Sequence, residues 1–443
     1  MLRKAMQALI KWKSSKNRKP LIIRGARQVG KTWLLKEFGK TKYDKCAYIN
    51  FDNNERMESL FNGNLDINRI ITALQIEAGI TIEADNTLLI FDEVQEVPRA
   101  LTSLKYFCEN APQYHLVAAG SLLGVALHPG TSFPVGKVDF LDLYPLDFLE
   151  FMKAMGHDDL LQLLKTGDFS LITSFKGKYI DLLKQYYYIG GMPEAVVSFI
   201  NTQDYSKVRE VQNRLLIAYE QDFSKHAPNE TVPRIRMLWN SIPAQLAKEN
   251  RKFIYGLIRQ GARAREYELA MQWLLDCGLV YKVHRISKPS MPLMAYQDFN
   301  AFKLFVLDVG LLSAMSGLDL KILLEGERIF EEFKGALTEQ YVLQQLVASG
   351  EIVPFYWSAE KGTAEIDFIF QNGMDIIPLE VKAAENLQAK SLKNYCQKYQ
   401  PRVAVRSSMS NYRQEEWLTN VPLYAINIVT DVVKKVSGTF RIL

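Results

Sequence analysis

One stretch constrains the N-terminal part of this chain more than any other: Gly25-Ala26-Arg27-Gln28-Val29-Gly30-Lys31-Thr32. It fits G-x-x-x-x-G-K-[ST], the pattern of a phosphate-binding loop, without a mismatch. The apolar run Leu21-Ile22-Ile23 before it is short enough for a buried strand. Trp33-Leu34-Leu35-Lys36-Glu37-Phe38 after it reads as the first turns of a helix. Strand, glycine loop and helix form the context the pattern needs. Two glycines let the backbone wrap so that successive N–H groups point inward at an anion. The free N–H groups at the helix start add to the attraction. Residues Gly25 to Trp33 are therefore expected to cradle a nucleotide. Lys31 is expected to reach the β/γ-phosphates and the Thr32 hydroxyl to bind Mg2+.

The second expected element of this site is Thr87-Leu88-Leu89-Ile90-Phe91-Asp92-Glu93. Its apolar run suits a strand covered on both faces. Its two carboxylates fall at the C-terminal end, where open α/β sheets bind ligands. Asp92 suits the residue that holds Mg2+, and Glu93 the base that orients and activates the attacking water. Ala47–Asp52, His115–Ala119 and Val138–Leu143 read as further strands, and Ile67–Glu77 as a helix with Asp66 as N-cap. Alternating strands and helices predict an α/β fold with a doubly wound parallel sheet over residues 1–150. After the fourth strand, Ser121 would sit beside the γ-phosphate as a sensor. Residues 1–20 read as a basic amphipathic helix, which suits either a solvated face or a phosphate-contacting segment.

Composition narrows the classes. The chain has 443 residues, more than one ordinary domain, with 48% hydrophobic and 23% charged residues and a net charge of +5. That charge permits nucleic-acid binding without arguing for it. Cys46, Cys108, Cys277 and Cys396 are scattered, with no zinc or disulfide spacing, which suits a reducing cytoplasm. No apolar run reaches membrane-spanning length, and the N-terminus lacks the apolar core of a signal peptide.

From Asp147 the pattern turns helical, through Leu182, Leu183, Tyr186 and Tyr187, until Gly190-Gly191-Met192-Pro193 breaks it. Residues 151–230 are expected to form a helical lid. The loop Gly25–Thr32, the strand Leu88–Glu93, Gly120-Ser121, Leu143-Tyr144-Pro145-Leu146 and Gly190-Gly191-Met192-Pro193-Glu194 occur in this order. In these motifs the chain resembles bacterial and archaeal AAA-type ATPases that carry a C-terminal module of unknown function. The resemblance covers most of the chain. It implies an AAA+ core using ATP and Mg2+, a cytoplasmic location and self-association as a homo-oligomer. The chain departs from the family at Gly136-Lys137, where the family has Gly-Arg. If that arginine acts on a neighbouring subunit's nucleotide, Lys137 replaces it without the bidentate fork.

Residues 231–330 read as helices at Asn250–Arg259 and Arg263–Cys277, then strands at Gly278–Val283 and Phe302–Leu307. Helix, turn, helix and β-wing resemble a winged helix. Arg259, Arg263, Arg265, Lys282, Arg285 and Lys288 could then contact phosphates, or the unit could serve only for protein packing.

Residues 331–443 open with a helix carrying Phe333, Leu337 and Tyr341 on its apolar face. Ala364–Phe370 and Asp375–Lys382 flank Asn372-Gly373, a strong hairpin signal. A two-residue Asn-Gly turn pairs 370 with 375, 368 with 377 and 366 with 379. Glu365, Asp367, Glu380 and Lys382 then share one face. Asp…Glu-x-Lys on one face resembles the PD-(D/E)xK nuclease fold, typified by restriction endonucleases, and Glu339 matches an extra acidic residue of some members. The resemblance implies a pocket of Glu339, Asp367, Glu380 and Lys382 able to take Mg2+; a half-buried hairpin also points charges at water without any such role. Two functions fit the whole chain. One is an ATPase coupling nucleotide state to a module that binds DNA or a protein client. The other is a nucleotide-switched scaffold with an inactive nuclease-like domain.

Overall fold

A computed structural model describes residues 3–120, 133–248, 252–320, 331–360, 363–383 and 389–439. Two compact units emerge. One holds Met1–Tyr144 with Asp276–Leu279, the other Pro145–Leu275 with Val280–Leu443.

The first unit is built on five parallel strands: β1 (Leu21–Arg24), β2 (Lys45–Asn50), β3 (Thr87–Asp92), β4 (His115–Ala119) and β5 (Asp139–Asp142). Their order is β2-β3-β4-β1-β5, with every neighbouring pair parallel. The central strands β3 and β4 are buried at every residue, as apolar runs covered on both faces must be. β5, at the edge, alternates half-buried and exposed. The helix Ile67–Ala78 starts where Asp66 accepts a hydrogen bond from the Arg69 N–H at 2.9 Å, as expected of an N-cap. Phe51, Phe61, Phe91 and Phe107 pack edge to face in one core cluster with Ile49, Leu89 and Ile70. The helix Lys31–Lys42 leaves directly from the loop after β1, so that loop stands at the carboxyl edge of the sheet.

The second unit pairs a set of helices with an eight-stranded mixed sheet. Its strands are β6 (Val280–Ile286), β7 (Gln297–Val306), β8 (Phe355–Ser358), β9 (Glu365–Asn372), β10 (Asp375–Val381), β11 (Val405–Ser408), β12 (Arg413–Gln414) and β13 (Thr419–Pro422). Their order is β12-β13-β11-β10-β9-β8-β6-β7. β6 and β7 form an antiparallel hairpin, and β6 also pairs in parallel with β8. The expected wing is therefore an integral edge of a sheet that runs through the expected boundary near residue 331. The helix expected over 250–259 is not formed among its described residues. A single 3-10 turn, Tyr255–Leu257, stands there, and the helices flanking it are Val232–Leu246 and Ala264–Asp276.

The β9–β10 hairpin forms, but in a different register. Asn372 pairs with Asp375, Phe370 with Ile377 and Phe368 with Leu379. Gly373 takes φ 61 while neither Asn372 nor Met374 has positive φ, so the turn centres on Gly373-Met374. The ladder is thus displaced by two residues from the Asn-Gly expectation. A shift of two preserves the faces, and Ile366, Phe368, Phe370, Ile377, Leu379 and Val381 are all buried as expected.

Glycines 190 and 191 have a structural cause inside this unit. Gly190 takes φ 74 and ψ −166, a region open in practice only to glycine. A Cβ there would lie 2.1 Å from Asp308 Oδ1. A Cβ on Gly191 would lie 2.0 Å from the Leu146 carbonyl oxygen, and the Leu146 N–H donates to the Gly191 carbonyl at 2.7 Å. The buried Asp308 carboxylate accepts from the N–H groups of Gly191 (2.6 Å) and Leu311 (3.1 Å) and from Gln344 Nε2 (3.0 Å). Burial pushes the Asp308 carboxyl up, against these donors. The Gly-Gly break is a clasp closed on a buried carboxylate.

Candidate functional site

The loop after β1 owes its path to its backbone. Gly25 has φ 146, and a Cβ on it would sit 2.2 Å from the Leu143 carbonyl oxygen. Gln28 (φ 65) and Gly30 (φ 93) are also left-handed. The helix Lys31–Lys42 opens from Gly30 without a side-chain cap, leaving its first N–H groups for an anion. Ala26 and Val29 are buried and anchor the loop, while Trp33 is exposed. Arg3, itself buried, braces the loop from behind: Nη1 donates to the Val29 carbonyl at 2.9 Å and Nη2 to the Tyr144 carbonyl.

Lys31 folds over its own loop. Its Nζ lies 2.8 Å from the carbonyl oxygens of both Gly25 and Ala26. Burial brings its pKa down from 10.5 to about 8, with Glu93 and Asp92 opposing that shift. A buried ammonium in a cradle of N–H groups fits an incoming polyanion.

Thr32 Oγ1 donates to Asp92 Oδ2 at 2.7 Å, joining the start of this helix to the end of β3. The same oxygen accepts from the Tyr48 hydroxyl at 2.9 Å, and Asp92 Oδ1 accepts the Glu93 N–H at 3.1 Å. A hydroxyl donating to a carboxylate keeps lone pairs free for a cation, so Thr32 and Asp92 fit the expected Mg2+ role. Glu93 follows in a left-handed conformation, φ 51. Its Oε2 accepts from Nε2 of the buried Gln95 at 2.6 Å. Lys31, Thr32, Asp92 and Glu93 are thereby brought together from two elements far apart in sequence.

Two other members were expected, Ser121 and Lys137. Ser121 lies outside the described residues. The Lys137 ammonium is 2.9 Å from Glu109 Oε1 of the same chain, a hydrogen-bonded pair that stabilises both charges.

In the second unit the four expected residues divide. Glu339 is buried beside Lys303, Nζ to Oε2 3.7 Å, and the same fully buried ammonium is 2.6 Å from Glu365 Oε1. Asp367, Glu380 and Lys382 stay together where β9 and β10 diverge. Asp367 Oδ2 accepts the Val381 N–H at 2.8 Å, and Lys382 Nζ is 2.8 Å from Glu380 Oε1. Burial pushes the Glu380 carboxyl up; Lys382 opposes this and Asp367 adds to it. Among the described residues no three acidic, histidine or cysteine side chains are grouped to hold a metal. The expected Mg2+ pocket counted Glu339 as a member. A buried lysine, 36 residues before Glu339 in the chain, has taken up that carboxylate.

Sequence reasoning missed Arg3, Tyr48, Gln95 and Lys303. Only Lys303 carried a signal, a lysine inside the apolar run Phe302-Lys303-Leu304-Phe305, which needs a buried partner.

With this geometry in hand, comparison with known proteins is informative. Residues 17–152 match the AAA domain. Two further matches follow along the chain, both to domains of unknown function: DUF8612 over residues 180–321 and DUF4143 over residues 334–426. The AAA match covers the loop, β3 and the Thr32–Asp92 contact. The chain matches no curated protein. Among solved structures it is similar to the Walker-type ATPase paby2304 of Pyrococcus abyssi, at 14% identity and TM-score 0.44, covering 71% of this chain and 95% of that one. It is also similar to the Aeropyrum pernix ORC1 protein, solved in complex with DNA, at 13% identity and TM-score 0.26, covering 71% and 91%. Cdc6p from Pyrobaculum aerophilum gives 13% identity and TM-score 0.25, covering 73% and 94%. No helix among the described residues is long and apolar enough to cross a membrane.

Proposed function

We propose that the chain binds ATP with Mg2+ at the Gly25–Thr32 loop and hydrolyses it slowly, coupling nucleotide state to its C-terminal region. The observation that carries this reading is the buried Lys31 ammonium, hydrogen-bonded to its own loop's carbonyls beside the Thr32–Asp92 contact. Mg2+, when bound, would neutralise charge on the phosphate oxygens. Lys31 leaves the Gly25 and Ala26 carbonyls for phosphate oxygens. Thr32 and Asp92 would hold the cation. Glu93 orients a water and accepts its proton once it lets go of Gln95. The Glu93–Gln95 contact and the in-chain Lys137–Glu109 pair both support a low basal rate. We further infer a cytoplasmic homo-oligomer whose C-terminal region engages DNA or a protein client.

Calorimetric titration of ATP·Mg2+ into wild type and Lys31→Ala tests the site. Loss of binding in the variant is expected, and equal affinity would remove the loop from the role. Glu93→Gln should bind ATP as wild type does and turn over about 10²- to 10⁴-fold more slowly. Wild-type turnover in that variant would remove Glu93 as the base.

The second reading, a nucleotide-switched scaffold with an inactive nuclease-like domain, draws support from Lys303, whose buried ammonium lies beside both Glu339 and Glu365. Equal absence of Mg2+-dependent DNA cleavage in wild type and Glu380→Ala favours it. Cleavage by wild type alone excludes it.

A further inference from the structure

Tyr48 stands in the first unit at a position the nucleotide-binding reading leaves unused. It lies on β2, in register with Ile90 of β3, while Asn50 faces Asp92. Tyr48 therefore starts two residues short of Asp92 and spans the gap with its ring, so that the hydroxyl meets Asp92 Oδ2 at 2.9 Å. On the other side the Lys36 ammonium lies 3.8 Å from the ring centroid. Lys36 and Thr32 belong to the same helix, Lys31–Lys42. One side chain thus ties β2, the end of β3 and the helix that supplies Thr32.

We propose that Tyr48 is a positioning residue of the Mg2+ site, which holds Asp92 in the orientation that a Thr32-bound cation requires. The proposal rests on the ATP·Mg2+ reading above. Asp92 is buried and has three donors: Thr32 and Tyr48 on Oδ2, and the Glu93 N–H on Oδ1. If the Thr32 hydroxyl turned to a cation, Tyr48 and the Glu93 N–H would keep the carboxylate from rotating. Phenylalanine keeps the ring and its contact with Lys36 but loses the donor. The Tyr48→Phe variant therefore isolates the hydrogen bond from the packing.

The test is ATP binding by wild type and Tyr48→Phe, in EDTA and across a Mg2+ series. A second readout is the paramagnetic resonance spectrum of Mn2+ substituted for Mg2+. Affinity for ATP in EDTA should agree within about twofold between the two proteins. The Mg2+ concentration that half-saturates the metal-dependent gain should rise about tenfold in the variant, the cost of one hydrogen bond to a charged group. The Mn2+ spectrum should broaden as its ligand orientation loosens. Identical Mg2+ dependence and an unchanged Mn2+ spectrum would overturn the role of Tyr48 while leaving nucleotide binding intact. No ATP binding by wild type in either condition would overturn both. Equal loss of affinity with and without Mg2+ would reduce Tyr48 to a structural residue and overturn the proposal.

Discussion

Lys31 Nζ lies 2.8 Å from the carbonyl oxygen of Gly25, the first residue of its own loop. The ammonium is thus kept inside the protein by two neutral acceptors and two neighbouring carboxylates, and its charge is held at a cost.

That cost sets a pH dependence. The Lys31 pKa falls from 10.5 to about 8 in the fold, so the folded chain releases this proton before the unfolded chain does. Between about pH 8 and 10.5 this one group makes the free protein more stable as pH rises. Nucleotide binding has the opposite sign, because ATP needs the charged form. Affinity for ATP·Mg2+ should be level below about pH 8 and fall by up to tenfold per pH unit above it. Calorimetry at pH 9 in two buffers of different ionisation enthalpy should detect uptake of close to one proton per ATP. A flat affinity from pH 7 to 9.5 would refute the placement of Lys31 at the phosphates.

The clasp at Gly190 gives a stability prediction. Gly190→Ala puts a Cβ against the buried Asp308 carboxylate and forces alanine into a glycine-only backbone region. Urea unfolding should show a loss of about 2–4 kcal/mol. Gly177→Ala, in the helix Lys176–Ile189 with open space at its Cβ, serves as the control and should change stability by less than about 1 kcal/mol. Equal effects at the two sites would disprove the clasp.

Lys303 offers a third test. Lys303→Met leaves Glu339 and Glu365 without their shared buried cation, and the fold should lose about 3–5 kcal/mol. Adding Glu339→Gln should restore part of that loss, because one stranded charge is gone. A double variant less stable than Lys303→Met alone would show that the pairing is not what holds Lys303.

The parts of the site that were legible in the sequence are those fixed by neighbours along the chain. The phosphate loop, the β3 strand and its Asp-Glu end are local patterns, and the parallel sheet orders them as expected. Tyr48 and Gln95 were not legible, since a lone polar residue near a strand end says nothing about which carboxylate it meets. The hairpin shows the same limit at finer scale. Asn372-Gly373 signalled a turn, but only Gly373 takes positive φ, so the turn slid by one residue and the ladder by two. The extent of the second sheet was not legible, because β6 finds its parallel neighbour in β8, some 70 residues on, beyond any local signal. Gly190-Gly191 was recognisable as a break, yet its partner Asp308 lies 117 residues from Gly191.

The β6–β8 pairing has a consequence for inheritance. The matches to the two domains of unknown function meet between residues 321 and 334, yet strands from both lie side by side in one sheet. Separating them by recombination strips β8 and β6 of backbone partners and leaves two raw strand edges open to aggregation. The two segments are therefore expected to be inherited as one cassette, with a substitution on one side of the seam constraining the other.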